Sequence, residues 1–208
     1  MDFALIETLR REPGEGFIRG DLHLDRMAAS AAALGFAFDR ARVLFDMEKV
    51  AAGETPLRVR LELARNGNVT VAATPFDRLP ANTVWRIAIA ATRLDSRDAL
   101  LRHKTTRRDT YTAARAEFSG AEADEVILLN EDGAACEGTI TNIFARFEPN
   151  GPLLTPPVSC GLLPGVLRRT LLENGAAREG TLTPGDLAGA SELFCGNSLR
   201  GLIPAALI

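Results

Sequence analysis

Two side chains in this sequence, a lysine and a glutamate, stand in settings where their chemistry could be used. Only two of the 24 lysine and arginine residues are lysines, Lys49 and Lys104. Lys104 lies in the basic run 102–108, RHKTTRR. A partly desolvated lysine can lose its proton and act as a nucleophile or base, whereas arginine stays protonated. Lys104 is therefore a candidate nucleophile, and the alternative is a solvated surface lysine within a charge run.

The glutamate, Glu137, lies in a segment that predicts a β-hairpin over residues 124–144, DEVILLNEDGAACEGTITNIF. An apolar strand over 126–129 leads into the turn residues Asp132 and Gly133, and a second strand pattern carries Glu137 and ends at 141–144. A carboxylate inside an apolar sheet is destabilising unless a partner compensates its charge. We therefore expect Glu137 to meet a cationic partner.

Composition limits the classes of protein to which the chain can belong. It has 208 residues, of which 46% are hydrophobic and 25% charged, and its net charge is -3. This length suits one large domain or two small ones. The negative charge argues against a nucleic-acid surface, although the run 102–108 could bind an anionic small molecule. Without a long apolar run or a signal-peptide pattern, the protein is expected to be cytoplasmic.

Cysteine and histidine usage points away from two further classes. The three cysteines have no paired spacing, and the two histidines have no acidic neighbours at metal-binding spacing on a helix. Neither a disulfide framework nor a metal site is expected.

The first part of the chain alternates helix and strand patterns. The patterns predict a strand over 3–9, a turn over 10–16, helices over 21–34 and 39–50, a hairpin of 56–64 with 68–73, and a strand over 83–91. Together they predict a small α/β domain over residues 1–92. His23 and Arg26 lie three apart in the first helix, which makes them either a solvated pair or an anion clamp.

Residues 93–208 are predicted to form a larger domain. Beyond the hairpin it contains helices over 111–118 and 166–174, a short strand over 151–155 and a strand over 192–195. Pro164 and Gly165 stand directly before the second of these helices. A glycine there lets backbone N–H groups approach an anion, and the helix N-terminus adds partial positive charge.

Five short motifs occur along the chain in a characteristic order. They are HLDR at 23–26, RHKTTRR at 102–108, EGTITNIF at 137–144, GLLPGVLR at 161–168 and GNSLRGLIP at 196–204. With this ordered set the sequence resembles the fold type IV pyridoxal-phosphate enzymes, the class IV aminotransferase family. The family includes branched-chain and D-amino-acid aminotransferases and 4-amino-4-deoxychorismate lyase. The resemblance implies an α+β fold of two domains, with a barrel-like sheet in the larger one.

The resemblance also implies a role for each motif. Lys104 would bind pyridoxal 5'-phosphate covalently and carry protons, and Glu137 would pair with the protonated pyridine nitrogen. The phosphate would be bound by groups in three motifs, namely Arg26, the backbone N–H groups of Val166 and Leu167, and the side chains of Asn197 or Ser198. For Asn197 and Ser198 the alternative is a plain turn. Asn142 either lines the site or caps a strand end.

Similarity to the C-terminal part of fused para-aminobenzoate synthases favours one reaction within the family. It implies a 4-amino-4-deoxychorismate lyase of folate biosynthesis, which releases pyruvate and forms para-aminobenzoate. Because that substrate carries two carboxylates, Arg107, Arg108 and Arg200 are candidates to bind them, and each is equally a candidate surface arginine. The alternatives are a branched-chain or D-amino-acid aminotransferase and a non-catalytic relative that acts as a partner protein.

The resemblance further implies a homodimer and an association with a chorismate-aminating synthase. Members of the family usually carry an additional strand before the segment 3–9. The chain is thus expected either to lack that strand or to correspond to the lyase-like half of a fused synthase. Tyr111, the only tyrosine in the sequence, stands in a region comparable to that of the tyrosine that follows the lysine in branched-chain aminotransferases.

Overall fold

The computed structural model describes residues 3–208, which divide into two compact units. The first unit comprises the residues up to Arg78 together with His103–Arg107, and the second comprises Leu79–Arg102 and Arg108–Ile208. This division differs from the boundary expected after residue 92. The strand Trp85–Leu94 belongs to the second unit because it pairs with strands there, and the segment 103–107 returns to the first.

The first unit is a four-stranded antiparallel sheet with two helices. Its elements are β1 (Leu5–Glu12), β2 (Gly16–Phe17), α1 (Gly20–Leu34), α2 (Arg40–Val50), β3 (Leu57–Leu63) and β4 (Val69–Pro75), and the strand order is β2-β1-β3-β4. Alternating residues of β3 are buried, so one face of the sheet joins the apolar core with Leu24, Met27 and Met47 of the helices.

Local sequence signals set the ends of both helices in the first unit. Helix α1 ends at Gly35, which adopts a left-handed conformation with φ 71°. The side chain of Asp39 accepts a hydrogen bond from the N–H of Arg42 and caps α2. The predicted helices and hairpin are confirmed. The turn predicted over 10–16 is wrong in its first part, because Arg10 and Arg11 continue β1 and pair with β3.

The second unit contains an eight-stranded mixed sheet that curls as a half-barrel, which confirms the fold type expected from the motifs. Its strands are β5 (Trp85–Leu94), β6 (Glu125–Asn130), β7 (Ala135–Gly138), β8 (Asn142–Arg146), β9 (Leu153–Thr155), β10 (Ala177–Glu179), β11 (Glu192–Asn197) and β12 (Gly201–Leu207). Their order is β10-β9-β8-β11-β12-β5-β6-β7. The unit also contains helices α3 (Asp109–Ala116), α4 (Val166–Glu173) and α5 (Pro184–Gly189). Every residue of β6 is buried, as expected for an interior strand.

The predicted hairpin over 124–144 is correct in its first turn and wrong in its second strand. Strands β6 and β7 pair in antiparallel fashion around a turn in which Gly133 has φ 81°. The second strand then breaks at Thr139–Thr141, and β8 pairs with β11 and β9 instead. The carboxylate of Glu125 accepts hydrogen bonds from the N–H groups of Thr139 and Ile140 and so holds the turn that interrupts the strand. The N–H of Thr139 also donates to the carbonyl of Val126 at 3.1 Å, so backbone pairing with β6 ends at this residue.

Two further properties concern the described residues alone. Among residues 3–208, no helix is both long and apolar enough to cross a membrane. Within the same range, no group of three or more histidine, cysteine or acidic side chains could hold a metal ion.

Candidate active site

Lys104 is held against the edge of β1 by backbone hydrogen bonds within the first unit. The N–H of Ile6 donates to the carbonyl of Lys104 at 2.9 Å, and the N–H of Thr106 donates to the carbonyl of Ala4 at 2.9 Å. Leu5 and Thr105 form an antiparallel bridge between these two bonds. Lys104 is half-buried, and partial burial of this kind is compatible with the desolvation that a nucleophilic lysine requires.

A buried carboxylate, Glu7, organises the predicted pair His23 and Arg26 in the first unit. Its carboxylate accepts from Nδ1 of His23 at 2.6 Å and from Nε and Nη2 of Arg26 at 2.8 and 2.7 Å. Glu7 and His23 are each only 1% exposed, so the interpretation of a solvated pair is wrong. Burial alone would raise the pKa of Glu7, but the charge of Arg26 and the hydrogen bond of His23 lower it to about 2.

Glu7 was not identified from the sequence, although a signal exists. It lies among apolar residues in the first part of the predicted strand, ALIETL, where a buried carboxylate requires a partner. Its two hydrogen bonds to Arg26 fix the guanidinium plane of that residue, as bidentate pairs do. Any anion that Arg26 binds would therefore meet a guanidinium whose orientation is already set.

In the second unit, Glu137 is a 4% exposed residue of β7 whose carboxylate is held by two neutral donors. Its Oε1 accepts from the hydroxyl of Tyr111 at 2.6 Å and from the N–H of Leu163 at 3.1 Å. Burial and the charge of Glu137 raise the pKa of Tyr111. The phenol therefore stays protonated and acts as a donor. The only tyrosine in the sequence therefore lies directly beside the predicted acid, Glu137.

The start of α4 is packed tightly against Asn142. The Nδ2 of Asn142 donates to the carbonyl of Leu163 at 3.0 Å, and a Cβ at Gly165 would lie 1.9 Å from Oδ1 of Asn142. Asn142 therefore supports this helix start and requires glycine at position 165. The first backbone bond of the helix runs from Arg169 to Gly165. The N–H groups of Val166 and Leu167 thus have no acceptor within the helix, which suits an anion.

Glu125 is a second buried acid that sequence reasoning missed, and it holds the loop between β7 and β8. Its Oε1 accepts from the N–H and hydroxyl of Thr139, and its Oε2 accepts from the hydroxyl of Thr141 at 2.9 Å. Gly138 allows this approach, since a Cβ there would lie 2.8 Å from the Glu125 carboxylate. The signal in the sequence is a glutamate directly before an apolar strand, followed by TIT at the corresponding end of the next strand.

Asn197 and Ser198 form the turn between β11 and β12. The Oδ1 of Asn197 accepts from the N–H of Arg200 at 2.9 Å, and its Nδ2 donates to the carbonyl of Ile140 at 3.2 Å. Both ends of this side chain therefore support the turn and the neighbouring loop, which favours the turn interpretation for Asn197. Ser198 is buried, with 5% of its surface exposed.

The three arginines predicted to bind substrate carboxylates lie in different settings. Arg107 is an exposed residue of the first unit. In the second unit, Arg108 donates to the carbonyl of Thr139, and its guanidinium carbon lies 4.8 Å from the centroid of the Tyr111 ring. Arg200 is half-buried, and its guanidinium carbon lies 6.0 Å from the centroid of the Trp85 ring. Arg108 thus supports the loop that follows Glu137.

Comparisons with known proteins identify the family and the fold of this chain. A model of the class IV amino-transferase family matches residues 4–208. A proposed aminodeoxychorismate lyase of Schizosaccharomyces pombe is 32% identical over 192 residues, which cover 89% of this chain and 82% of that protein. The crystal structure of a proposed amino-acid aminotransferase from Mesorhizobium loti is 53% identical, with a TM-score of 0.97 over 100% of both chains.

A solved structure of lower sequence identity supports the fold of this chain and nothing beyond it. It is the pyridoxal-phosphate-bound form of a hypothetical aminotransferase from Mycobacterium tuberculosis, which is 20% identical. The match covers 98% of this chain and 81% of that one with a TM-score of 0.84. The chain belongs to the class IV aminotransferase family, because the family model matches residues 4–208 and the structure from Mesorhizobium loti shares its fold over the whole chain.

Proposed function

We propose that this protein is a pyridoxal-phosphate-dependent 4-amino-4-deoxychorismate lyase, which forms para-aminobenzoate and pyruvate. The observation that carries the choice of reaction is the similarity to the proposed lyase of Schizosaccharomyces pombe, which extends over 82% of that protein. The donor and acceptor groups described above support the choice of pyridoxal phosphate as the cofactor.

The residues of both units suit the chemistry of pyridoxal phosphate. The cofactor offers a pyridine nitrogen, an aldehyde and a phosphate. When bound, it supplies a ring that accepts electrons from bonds broken next to the substrate nitrogen. Glu137 would receive the protonated pyridine nitrogen, because its carboxylate is buried and oriented by the hydroxyl of Tyr111 and the N–H of Leu163. A charge-assisted hydrogen bond would form there.

Each unit contains groups that are candidates to bind the phosphate, as the resemblance to the family implies. Arg26 brings a guanidinium oriented by Glu7, and Val166 and Leu167 bring backbone N–H groups at the start of α4. Ser198 would add a hydroxyl from the turn after β11. Positive charge and N–H donors of this kind are typical of phosphate sites.

Lys104 would act twice. Its amine would first hold the cofactor aldehyde, and after the substrate amine has replaced it, the freed amine would take the proton from the ring carbon that bears the substrate nitrogen. The bond from the neighbouring ring carbon to the ether oxygen then breaks. The departing enol takes up a proton and becomes pyruvate, and the ring becomes aromatic.

The proposal includes carboxylate ligands and partners for the protein. Arg107, Arg108 and Arg200 would bind substrate carboxylates. The resemblance to the family supports a homodimer, and a chorismate-aminating synthase would supply the substrate in the cytoplasm. Sedimentation of the purified protein with and without such a synthase would measure both associations.

An aminotransferase is the second candidate, because the structure with 53% identity is a proposed amino-acid aminotransferase. Such an enzyme would take the amino group from one amino acid, which leaves as a keto acid, and pass it to a second keto acid, and Lys104 would carry the proton in both half-reactions. Conversion of the bound cofactor to its amine form by branched-chain or D-amino acids would identify it. The lyase would release pyruvate without a keto-acid acceptor.

The deciding experiment supplies the cofactor-loaded protein with enzymatically made aminodeoxychorismate and quantifies pyruvate and para-aminobenzoate. We expect equal amounts of both products, and no product with Lys104→Ala. Lys49→Ala, which changes the other lysine, is the matched control and should keep the wild-type rate. Turnover of amino acids instead of aminodeoxychorismate would replace the lyase with the aminotransferase. An absence of both activities and of the imine absorbance would favour a non-catalytic partner protein.

A further inference from the structure

One face of the sheet in the first unit carries both Lys104 and a group of arginines. Residues that pair directly across an antiparallel ladder point to the same face, and side chains alternate along each strand. The position opposite Ile6 is that of Lys104, given the bridge between Leu5 and Thr105. Thr8 and Arg10 lie two and four residues after Ile6 in β1, so their side chains point to the same face.

Strand β3 adds two more arginines to this face. Arg58 lies directly opposite Arg10, and Arg60 lies directly opposite Thr8. Like charges directly opposite each other destabilise an antiparallel pair. Arg10 and Arg58 therefore form a pairing that folding alone does not favour, on the face that carries the lysine.

A further arginine joins them from the start of α1. The N–H of Ile18 donates to the carbonyl of Arg10 at 2.8 Å, which places the next residue, Arg19, beside Arg10. Arg19 is half-buried and has a left-handed backbone with φ 56°, a conformation that is unfavourable for a long side chain. Burial and the neighbouring charge of Arg10 lower the pKa of Arg19, so this guanidinium is held where positive charge is already present.

Few carboxylates balance these charges. Glu12 binds both Arg10 and Arg78, and Glu62 lies 3.3 Å from Arg60. Within residues 3–208, neither Arg19 nor Arg58 forms an ion pair with a carboxylate. Four arginines of this face, together with Arg78, thus meet two carboxylates, which leaves an excess of positive charge around Arg19 and Arg58.

We propose that Arg19 and Arg58, together with Arg10, form a binding site for a carboxylate group of the substrate. The inference rests on the proposed function, because it assigns a group of that substrate to a sheet face shared with Lys104. Guanidinium groups bind carboxylates through two parallel hydrogen bonds, and a bound carboxylate would relieve the repulsion between the arginines. The occupant is a small dianion that carries its two carboxylates near a reactive amine.

Chorismate is a suitable probe, because it carries both carboxylates of the proposed substrate but has no amine with which to join the cofactor. Its affinity for the cofactor-loaded protein is measured by calorimetry, so the result does not depend on turnover. We expect Arg19→Gln and Arg58→Gln each to weaken chorismate binding about tenfold, as loss of a charged hydrogen-bond donor does. Arg42→Gln removes an exposed charge from α2 and should leave the affinity unchanged.

The outcomes separate this site from the reaction. Weaker chorismate binding in both variants, in a protein without lyase activity, supports the carboxylate site and overturns the proposed reaction. If the wild type is an active lyase and both variants keep their chorismate affinity and KM within about twofold of the wild type, the carboxylate site is overturned. Loss of a charged hydrogen bond would have a larger effect than this. Arg58 is an exposed strand residue, so Arg58→Gln keeps the test valid if Arg19→Gln fails to fold. Unchanged chorismate affinity with altered sedimentation would assign the face to a second copy of the chain and overturn the site.

Discussion

The hydroxyl of Tyr111 donates a 2.6 Å hydrogen bond to Oε1 of Glu137, and both residues belong to the second unit. The tyrosine stands on α3 and the glutamate on β7, so a helix supports the orientation of a carboxylate inside the sheet. Because the raised pKa of Tyr111 keeps its phenol protonated, the bond stabilises the ionised form of Glu137. Tyr111 is therefore a positioning residue for the acid.

Replacement of Tyr111 by phenylalanine should weaken cofactor binding. The ring would still pack, but Glu137 would lose one donor, and a hydrogen bond to a charged group contributes roughly 1.5–3 kcal/mol. We expect the dissociation constant of pyridoxal phosphate to rise about tenfold or more, measured by cofactor fluorescence. A double-mutant cycle with Glu137→Gln on the apoprotein isolates the pair. Additive losses of stability in that cycle would contradict the positioning role.

Acid should remove a defined part of the stability through Glu7. Its pKa is lowered to about 2 from the ordinary value of 4.5, so the ionised form stabilises the fold above the unfolded pKa. That stability is lost as the pH falls from about 4.5 towards 2, and a lowering of this size corresponds to about 3 kcal/mol. Urea unfolding of the apoprotein at a series of pH values measures it.

Glu7→Gln is the matched variant for the acid experiment. It retains the side-chain shape but cannot ionise, so it should be less stable than the wild type above pH 5 and should lack this part of the pH dependence. Glu54→Gln changes a glutamate at an exposed position of the same unit and should retain the wild-type profile. An identical acid profile for Glu7→Gln and the wild type would show that other groups carry the effect.

Much of the fold follows from local patterns. The leucines of LRVRLEL predict the buried face of β3, and Gly35 and Asp39 predict where α1 ends and α2 begins. The break between β7 and β8 could not be predicted in this way. It depends on Glu125, which lies 14 residues before Thr139 and acts through a side chain rather than through strand propensity.

The same limit applies to the candidate site. The types of Lys104 and Glu137 are informative in themselves, because an amine and a buried acid suit few structural roles. The residues that orient the site are harder to identify from the sequence, since Glu7 contacts Arg26 across 19 positions and Tyr111 contacts Glu137 across 26 positions of the chain. The unit to which Lys104 belongs is likewise set by its backbone bond to Ile6, a pairing that no local pattern specifies.

Arg26 should act on the phosphate of the cofactor and not on its ring. Arg26→Gln is expected to weaken binding of pyridoxal phosphate about tenfold or more and to leave the binding of pyridoxal, which lacks the phosphate, nearly unchanged. Titration of the apoprotein with both compounds measures the difference. Arg40→Gln, which removes two exposed ion pairs of the same unit, is the control. Equal losses for the two compounds would mean that Arg26 acts only through the fold and its bond to Glu7.

Gly165 should be irreplaceable even by alanine. A Cβ at this position would lie 1.9 Å from Oδ1 of Asn142, so either Asn142 must move or the start of α4 must shift. Overpacking of this kind typically destabilises by about 1–3 kcal/mol, and here it also displaces the N–H groups of Val166 and Leu167. We expect Gly165→Ala to lose both stability and phosphate-dependent cofactor affinity. Gly189→Ala has open space around its Cβ and should change neither. If Gly165→Ala unfolds in urea and binds pyridoxal phosphate as the wild type does, the contact between Asn142 and the helix start cannot be what positions these N–H groups.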